Sequence, residues 1–404
     1  MTGRATAGRR LIRWLTTPLP QPPPALRRGP LRPGVFGSRL RSTRLAGQLG
    51  VALGLTFGVC FLTGLLSHLM QHPPAGFAWP SRPIGFYRFT QGLHVVTGLA
   101  SAPLLGAKLW SVYPRLFTWP PVRSIAHAAE RAAVGVLVAA ALFQVVGGVL
   151  NITRWYTPMP FFFTAGHYWV GWLAIGALLV HVGVRLPVTR AALTRSAMSA
   201  RPGGLSRRGL LTGVAAATGL LTLTTAGQTL RPLSGLALFA PRRPGTGPQG
   251  LPVNKTADNA GVRALALNPS YRLTVIGPTR HTDLDLDGLH AMTQHTAELP
   301  IACVEGWSAT GRWTGVRLRD LVALVGVDPT RATVVAESLE TGGRYRTSIV
   351  AAPHVRDPLT LVALRLNGEP LHLDHGYPAR LIAPNRPGVL QTKWLTSITV
   401  REES

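Results

Sequence analysis

Two cysteines in 404 residues, Cys60 and Cys303, exclude a disulfide framework. Acid is also scarce. Sixteen Asp and Glu stand against 42 Lys and Arg, a formal charge of +26, and residues 1–230 hold one carboxylate, Glu130, among 23 basic residues. No glycine-rich loop of Walker or Rossmann pattern occurs, which argues against nucleotide chemistry. The first half is filled instead with long apolar runs. Basic residues beside such runs mark loops flanking a bilayer, so membrane lipid is an expected partner and nucleic acid is not.

Residues 1–45 carry ten Arg, no acid and a proline-rich stretch from Pro18 to Pro33, the composition of a disordered basic cytoplasmic tail. Four segments reach the length of about 20 mostly apolar residues that a span requires: 46–70, 91–112, 126–150 and 162–186. They place a four-helix membrane domain at 46–190, followed by a cytoplasmic linker at 191–209. A fifth, less apolar segment at 210–230 leads through a linker at 231–250 to a domain at 251–404. Seventeen Arg lie in the tail and the loops after the second and fourth spans, against Arg82, Arg88 and Arg154 in the others. By the positive-inside rule the N-terminus is cytoplasmic, and five spans put residues 251–404 outside. Four spans with an internal C-terminal domain is the alternative. Ser206-Arg207-Arg208-Gly209-Leu210-Leu211 resembles a twin-arginine signal inside the chain, implying both Sec and twin-arginine translocation machinery as partners. Paired Arg before a span is also what the positive-inside rule alone would give.

From about 245 onward short β-rich runs (271–276, 332–336, 344–349, 361–366, 379–382, 397–400) are punctuated by turn residues, with one amphipathic helix at 318–325. The expected fold class is an all-α transmembrane bundle followed by an α+β domain. Cys303 lies in Cys303-Val304-Glu305-Gly306-Trp307, followed by Trp313-Thr314-Gly315-Val316 and Leu318-Arg319-Asp320-Leu321. A thiolate is a soft metal ligand, and no second Cys or His lies at zinc spacing. An isolated Cys is also a common small core hydrophobe.

Those motifs, with His375-Gly376-Tyr377-Pro378-Ala379-Arg380-Leu381-Ile382-Ala383-Pro384 and Thr392-Lys393-Trp394-Leu395, resemble the sulfite-oxidase-type molybdopterin domain, from Asn254 to Val400. The resemblance implies that Cys303 binds molybdenum and is the catalytic residue. It implies that Asn254 approaches the cofactor and that Arg380 and Lys393 hold the pterin phosphate. His375 stands where the bacterial methionine sulfoxide reductase branch typically has Asn, and Ser338 where a Thr occurs; both are cofactor-binding positions. The implied activity is oxygen-atom transfer to or from a sulfoxide or a sulfite-like substrate.

His167 and His181 are fourteen residues apart on one segment, about 21 Å and nearly four turns along a helix, so they share a face. Intramembrane ionisable residues are functional candidates. The spacing resembles that of b-type cytochrome membrane subunits, which hold haem between imidazoles of two helices. Position by position, His94 pairs with His167 and His127 with His181; Lys108, fourteen after His94, departs from the dihaem pattern. Haem b and molybdopterin are then the cofactors, with the quinone pool or a redox protein as electron partner. A haem-free anchor carrying the enzyme, or a metal-free exported binding module, are the alternatives.

Overall fold

The computed structural model describes residues 36–402 apart from 39, 119, 120, 123, 195–205 and 239. Most of the basic tail and of the linker before the twin arginines lie outside the described residues. Five long helices come first: α1 (Thr43–Gln71), α2 (Phe86–Val112), α3 (Ile125–Thr153), α4 (Phe163–Thr194) and α5 (Arg207–Ala226). All five are long and apolar enough to cross a membrane. At 1.5 Å per residue even the 20 residues of α5 reach about 30 Å, the thickness of a bilayer core. Proline sets the first connection, because Pro73 and Pro74 follow α1 and Pro83 precedes α2. Serine sets two starts: Ser124 Oγ accepts the His127 N–H at 3.1 Å, and Ser206 Oγ accepts the Gly209 N–H at 3.0 Å. Ser206, just before the paired arginines, is therefore a helix cap.

The chain forms two compact units. The first comprises residues up to 61, 97–151 and 155–222. There Leu45, Leu49 and Leu104 form a buried cluster with Trp110, Leu210 and Leu211 packed against it. Lys108 donates from Nζ to the Ala46 carbonyl at 2.5 Å, and Glu130 pairs with Arg185. Large apolar side chains such as Leu55, Leu179 and Val180 are exposed around these helices, as lipid contact requires.

The second unit comprises residues 62–96, 152–154 and 223–404. Its short helices are α6 (Ala257–Ala260), α7 (Arg263–Ala266), α8 (Leu286–Ala291), α9 (Leu318–Leu324) and α10 (Ala352–Val355). Its strands are β1 (Leu273–Ile276), β2 (His281–Leu284), β3 (His295–Ala302), β4 (Ser308–Arg317), β5 (Ala332–Ser338), β6 (Thr347–Val350), β7 (Leu361–Leu366), β8 (Glu369–Pro370), β9 (Arg380–Ile382) and β10 (Leu395–Glu402). One sheet runs β2-β1-β10-β5-β6 and the other β3-β4-β7-β8, with β9 added on β7. The β1–β10 pair is parallel and the other pairs are antiparallel. Strict alternation on β5 buries Ala332, Val334, Ala336 and Ser338, while α9 buries Leu318, Leu321 and Val322 over the same core.

Residues 62–96 are built into this unit. Arg82 reaches Asp357 with two hydrogen bonds of 3.1 and 3.2 Å. Asn385 accepts the Tyr87 N–H at 2.9 Å, donates from Nδ2 to the Pro80 carbonyl at 2.8 Å and from its backbone to Ile84 at 3.2 Å. Tyr87, 1% exposed, is buried with Met70 and Ala302. Arg82→Ala would leave the Asp357 carboxylate, 4% exposed, with only local partners such as the Leu359 N–H. A charged hydrogen-bond pair of this kind contributes about 1.5–3 kcal/mol. The variant is expected to unfold at lower temperature and to be cut by protease within 72–85 sooner than wild type; unchanged thermal midpoint and cleavage would show the contact to be unimportant.

Candidate active site

Cys303 sits where strand β3 leaves its sheet, in the tight turn that returns to β4. The turn is closed by the Cys303 N–H to Trp307 O (2.9 Å) and the Gly306 N–H to Cys303 O (3.0 Å). Gly306 has φ +95°, a conformation that side chains resist. The thiol is 3% exposed, and burial, with the Glu305 carboxylate adding to it, pushes it up to about 12. Cation coordination reverses that preference, because a metal-bound thiol is deprotonated outright.

The same cavity is lined by Asn254, Cys303, Trp307, His375, Arg380 and Lys393. Five of the six cofactor positions expected from the sequence are thereby brought together from segments up to 139 residues apart. Ser338 is the exception: it does not line the cavity, but its hydroxyl donates to the Lys393 carbonyl at 2.8 Å and fixes the segment that carries the lysine. Asn254 Oδ1 accepts the Lys255 N–H at 2.9 Å.

Two cations line the cavity, Arg380 buried and Lys393 half-buried. Arg380 is 5% exposed and held down to about 9 by burial; it donates from Nη1 to the His375 carbonyl at 3.1 Å and lies 5.3 Å from the Trp313 ring centroid. Its Nε is buried without a hydrogen-bond partner. Lys393 is held well below the usual lysine range by burial and then by Arg380, and donates to the carbonyls of Lys255 (2.5 Å) and Asp374 (2.9 Å). Neither forms an ion pair among the described residues. Gly376 makes their approach possible, since a Cβ there would lie 3.1 Å from the Cβ atoms of both. The buried charge of Arg380 has no carboxylate beside it among the described residues and is costly unless an anion supplies the partner, whereas the Asp374 and Glu340 carboxylates favour the charge of Lys393.

Residues 260–404 match the family of oxidoreductase molybdopterin binding domains. The C-terminal part of the chain is a sulfite-oxidase-type molybdopterin domain. Over 162 aligned residues the chain is 33% identical to the mitochondrial sulfite oxidase of Rattus norvegicus, covering 33% of this chain and 30% of that protein. It is 34% identical over 133 residues to the YedZ1 protein of Azospira oryzae, named for a protein-methionine-sulfoxide reductase subunit, covering 32% of this chain and 49% of that one. A nitrate reductase of Hordeum vulgare is 41% identical over 105 residues, 24% of this chain and 12% of its own. The chain thus spans less than half the length of these relatives.

The residues present fit a molybdopterin. A buried thiol, a buried guanidinium, a half-buried ammonium and a neutral imidazole converge on one cavity, and the unmet Arg380 Nε–H provides a donor for an anion. His375 is held down to about 4, chiefly by burial, and its Nε2 lies 2.8 Å from the Pro248 carbonyl. With Nε2 as donor, Nδ1 remains an acceptor.

Sequence reasoning missed the frame around the turn. Glu305 binds Arg242, accepts the Trp307 Nε1–H at 3.0 Å and lies 3.7 Å from Arg154, while Arg242 also donates to Asn254 O at 2.9 Å. The signal was the carboxylate two residues after Cys303, in a chain poor in acid. It also missed His354 and Arg386, both buried and close enough to interact electrostatically. Burial, with Arg386 next to it, holds His354 down to about 4, and burial lowers Arg386 to about 10. Between about pH 6.5 and 4 the unfolded chain binds a proton at His354 that the folded one refuses, so stability falls as pH falls. At 1.36 kcal/mol per pH unit the loss approaches roughly 3 kcal/mol, and His375 adds in the same direction. Thermal unfolding from about pH 7 to 5 should show a smaller drop for His354→Gln than for wild type; parallel profiles would refute this.

The expected haem ligands are distributed between the units. His94, on α2 within the second unit, rests against Gly64, where a Cβ would lie 2.7 Å from its Cε1. In the first unit are His127 on α3 and His167 and His181 on α4. The His167 ring lies 4.9 Å from Phe163, its carbonyl accepts from Gln144 at 2.8 Å, and His181 Nδ1 is buried without a hydrogen-bond partner.

Proposed function

We propose that the chain is a membrane-bound molybdopterin oxidoreductase that moves oxygen atoms to or from a sulfoxide or sulfite-like substrate outside the cytoplasm. Its electrons are exchanged with the membrane quinone pool or a redox protein through haem b. The observation that carries the reading is the convergence of Cys303, the buried Arg380 and the half-buried Lys393 on one cavity. When bound, the molybdenum supplies two-electron oxygen-atom transfer and the haem one-electron transfer. Cys303 provides the thiolate, Arg380 and Lys393 neutralise the pterin phosphate, and Asn254 and neutral His375 hydrogen-bond the pterin. Ser338 sets the height of Lys393 through its carbonyl. Packing of Cys303 with Trp307, and of Tyr87 on the neighbouring Ala302, keeps bulk water from the thiolate side.

The topology is supported by the composition of the second unit. The end of α1, the start of α2, the end of α3 and the residues after α5 all belong to it, together with the molybdopterin domain. The two loops between helices on this side, after α1 and after α3, with the first turn of α2, carry Arg82, Arg88 and Arg154 against the many Arg of the other loops, the side that the positive-inside rule places outside. His94, His167, His127 and His181 are the haem ligands in this reading, and the twin-arginine segment exports the folded, loaded domain after Sec has inserted the preceding helices.

Molybdenum and iron per protein in detergent-purified material, with a reduced-minus-oxidised spectrum, test the proposal. Near-stoichiometric molybdenum with haem bands that vanish in His94→Ala or His167→Ala is the expected result. Molybdenum without iron would leave an enzyme on a haem-free anchor, and absence of both from exported protein would leave a binding module.

A further inference from the structure

Within the second unit the helix that carries His94 touches the turn that carries Cys303. Val95, 9% exposed, packs on Gly306: a Cβ at Gly306 would lie 3.1 and 3.3 Å from its two methyl carbons. Gly306 in turn donates its N–H to the Cys303 carbonyl at 3.0 Å. His94 and Val95 are consecutive, so a route from one imidazole to the cysteine contains a peptide bond, one van der Waals contact and one hydrogen bond. Electron tunnelling decays least along bonds, somewhat more across hydrogen bonds and most across gaps, so the Val95–Gly306 contact limits this route. The alternative contact, Tyr87 with Ala302, enters the helix seven residues, about two turns, before His94.

The contact is held from both sides. Arg88, on the same face seven residues before Val95, donates to Thr310 Oγ1 at 3.1 Å and to the Thr229 carbonyl at 2.7 Å. Thr229 Oγ1 donates to the Gly306 carbonyl at 3.2 Å, and the Ser308 N–H donates to the Gln228 carbonyl at 3.0 Å. Strand β4, the end of α5 and the start of α2 are thus pinned around one glycine. Gly306 meets two demands at once: its φ of +95° forms the turn, and its missing Cβ admits Val95.

We infer that the Val95–Gly306 contact is the bridge by which electrons pass between the haem held at His94 and the molybdopterin site at Cys303. The inference rests on the proposed function. Reduction of one sulfoxide takes two protons and two electrons and yields one sulfide and one water; oxidation of one sulfite takes one water and yields one sulfate, two protons and two electrons. In the first direction two ferrous haem equivalents are oxidised per oxygen atom moved, in the second two ferric equivalents are reduced, and each electron crosses the bridge singly.

The test uses full-length, detergent-purified wild type, Val95→Ala and Val95→Thr, the last keeping both γ atoms in place. Haem spectrum and molybdenum content come first: if wild type has no haem bands, or His94→Ala keeps them, the functional reading fails before any rate is measured, and the bridge falls with it. With both cofactors present, haem oxidation by methionine sulfoxide and haem reduction by sulfite are followed by stopped flow. Removing both γ carbons opens the contact and should slow the productive direction about tenfold in Val95→Ala, since tunnelling decays most steeply across a gap. Val95→Thr should stay near wild type, and turnover driven by reduced methyl viologen, which reaches the molybdopterin site from solution, should be unchanged in all three. In protein from a host unable to make molybdopterin, amide exchange of the 303–307 turn should rise in Val95→Ala. Unchanged haem kinetics in Val95→Ala at full cofactor content would overturn the inference, whether or not exchange of the turn has risen.

Discussion

Cys303→Ser is expected to lower retained molybdenum, and with it turnover, by more than about 100-fold while the domain stays folded; loss of a direct ligand should exceed the 10–100-fold typical of its outer supports. Sulfur is the soft, polarisable donor in the cavity, and a serine hydroxyl neither ionises near neutral pH nor matches that softness. The fold should survive because the bonds closing the turn, at 2.9 and 3.0 Å, run through the backbone of residues 303, 306 and 307. Burying a hydroxyl where the thiol is 3% exposed costs about 1–3 kcal/mol if it finds no partner. Elemental analysis beside a thermal melt separates the two effects. Wild-type molybdenum in a folded Cys303→Ser protein would remove the thiolate from the site.

Much of the outline was legible in the sequence. The apolar runs fall on the five helices, though the fourth helix continues to Thr194, eight residues past its apolar run, and β5, β7, β9 and β10 fall on runs rich in Val, Ile and Leu. The β3–β4 hairpin that presents Cys303 was not seen as strands, because Pro300 interrupts one run and Gly311 and Gly315 dilute the other. What permits them is position: Gly315 faces the backbone of Val362 and Ala363, where a Cβ would collide at 2.0 and 2.7 Å, so close sheet pairing rather than propensity selects the residue. Cys303, Arg380 and Lys393 stand in separate motifs of the sequence, and the structure brings them to one cavity. The incorporation of residues 62–96 into the catalytic unit was not legible, since Arg82–Asp357 and Tyr87–Asn385 join positions 275 and 298 apart with no local signature at either end. The Glu305 frame lay between these cases, visible as an acid but not as the clasp between Arg242 and Trp307.

Arg380→Met should separate cofactor retention from stability, moving them in opposite directions. In the chain alone, the guanidinium gains one charged hydrogen bond, worth about 1.5–3 kcal/mol, and a cation–π contact with Trp313, worth up to about 2 kcal/mol. Against this stands a desolvation cost of several kcal/mol for a buried ion, with an N–H at Nε left unmet. The balance is unfavourable until an anion enters. Methionine has similar length and fills the space beside Trp313 without charge, so protein made in a molybdopterin-deficient host should gain about 1–3 kcal/mol. The same substitution removes one of two cations from the phosphate position, and retained molybdenum in the loaded protein should fall by at least about tenfold. Lys393→Met should behave alike, because burial and the neighbouring Arg380 already disfavour its charge. Melting curves of the cofactor-free proteins and molybdenum content of the loaded ones decide the matter. A destabilised cofactor-free Arg380→Met protein would mean that the cation is a structural strut for the His375 carbonyl, and unchanged molybdenum would mean that the anion is held elsewhere.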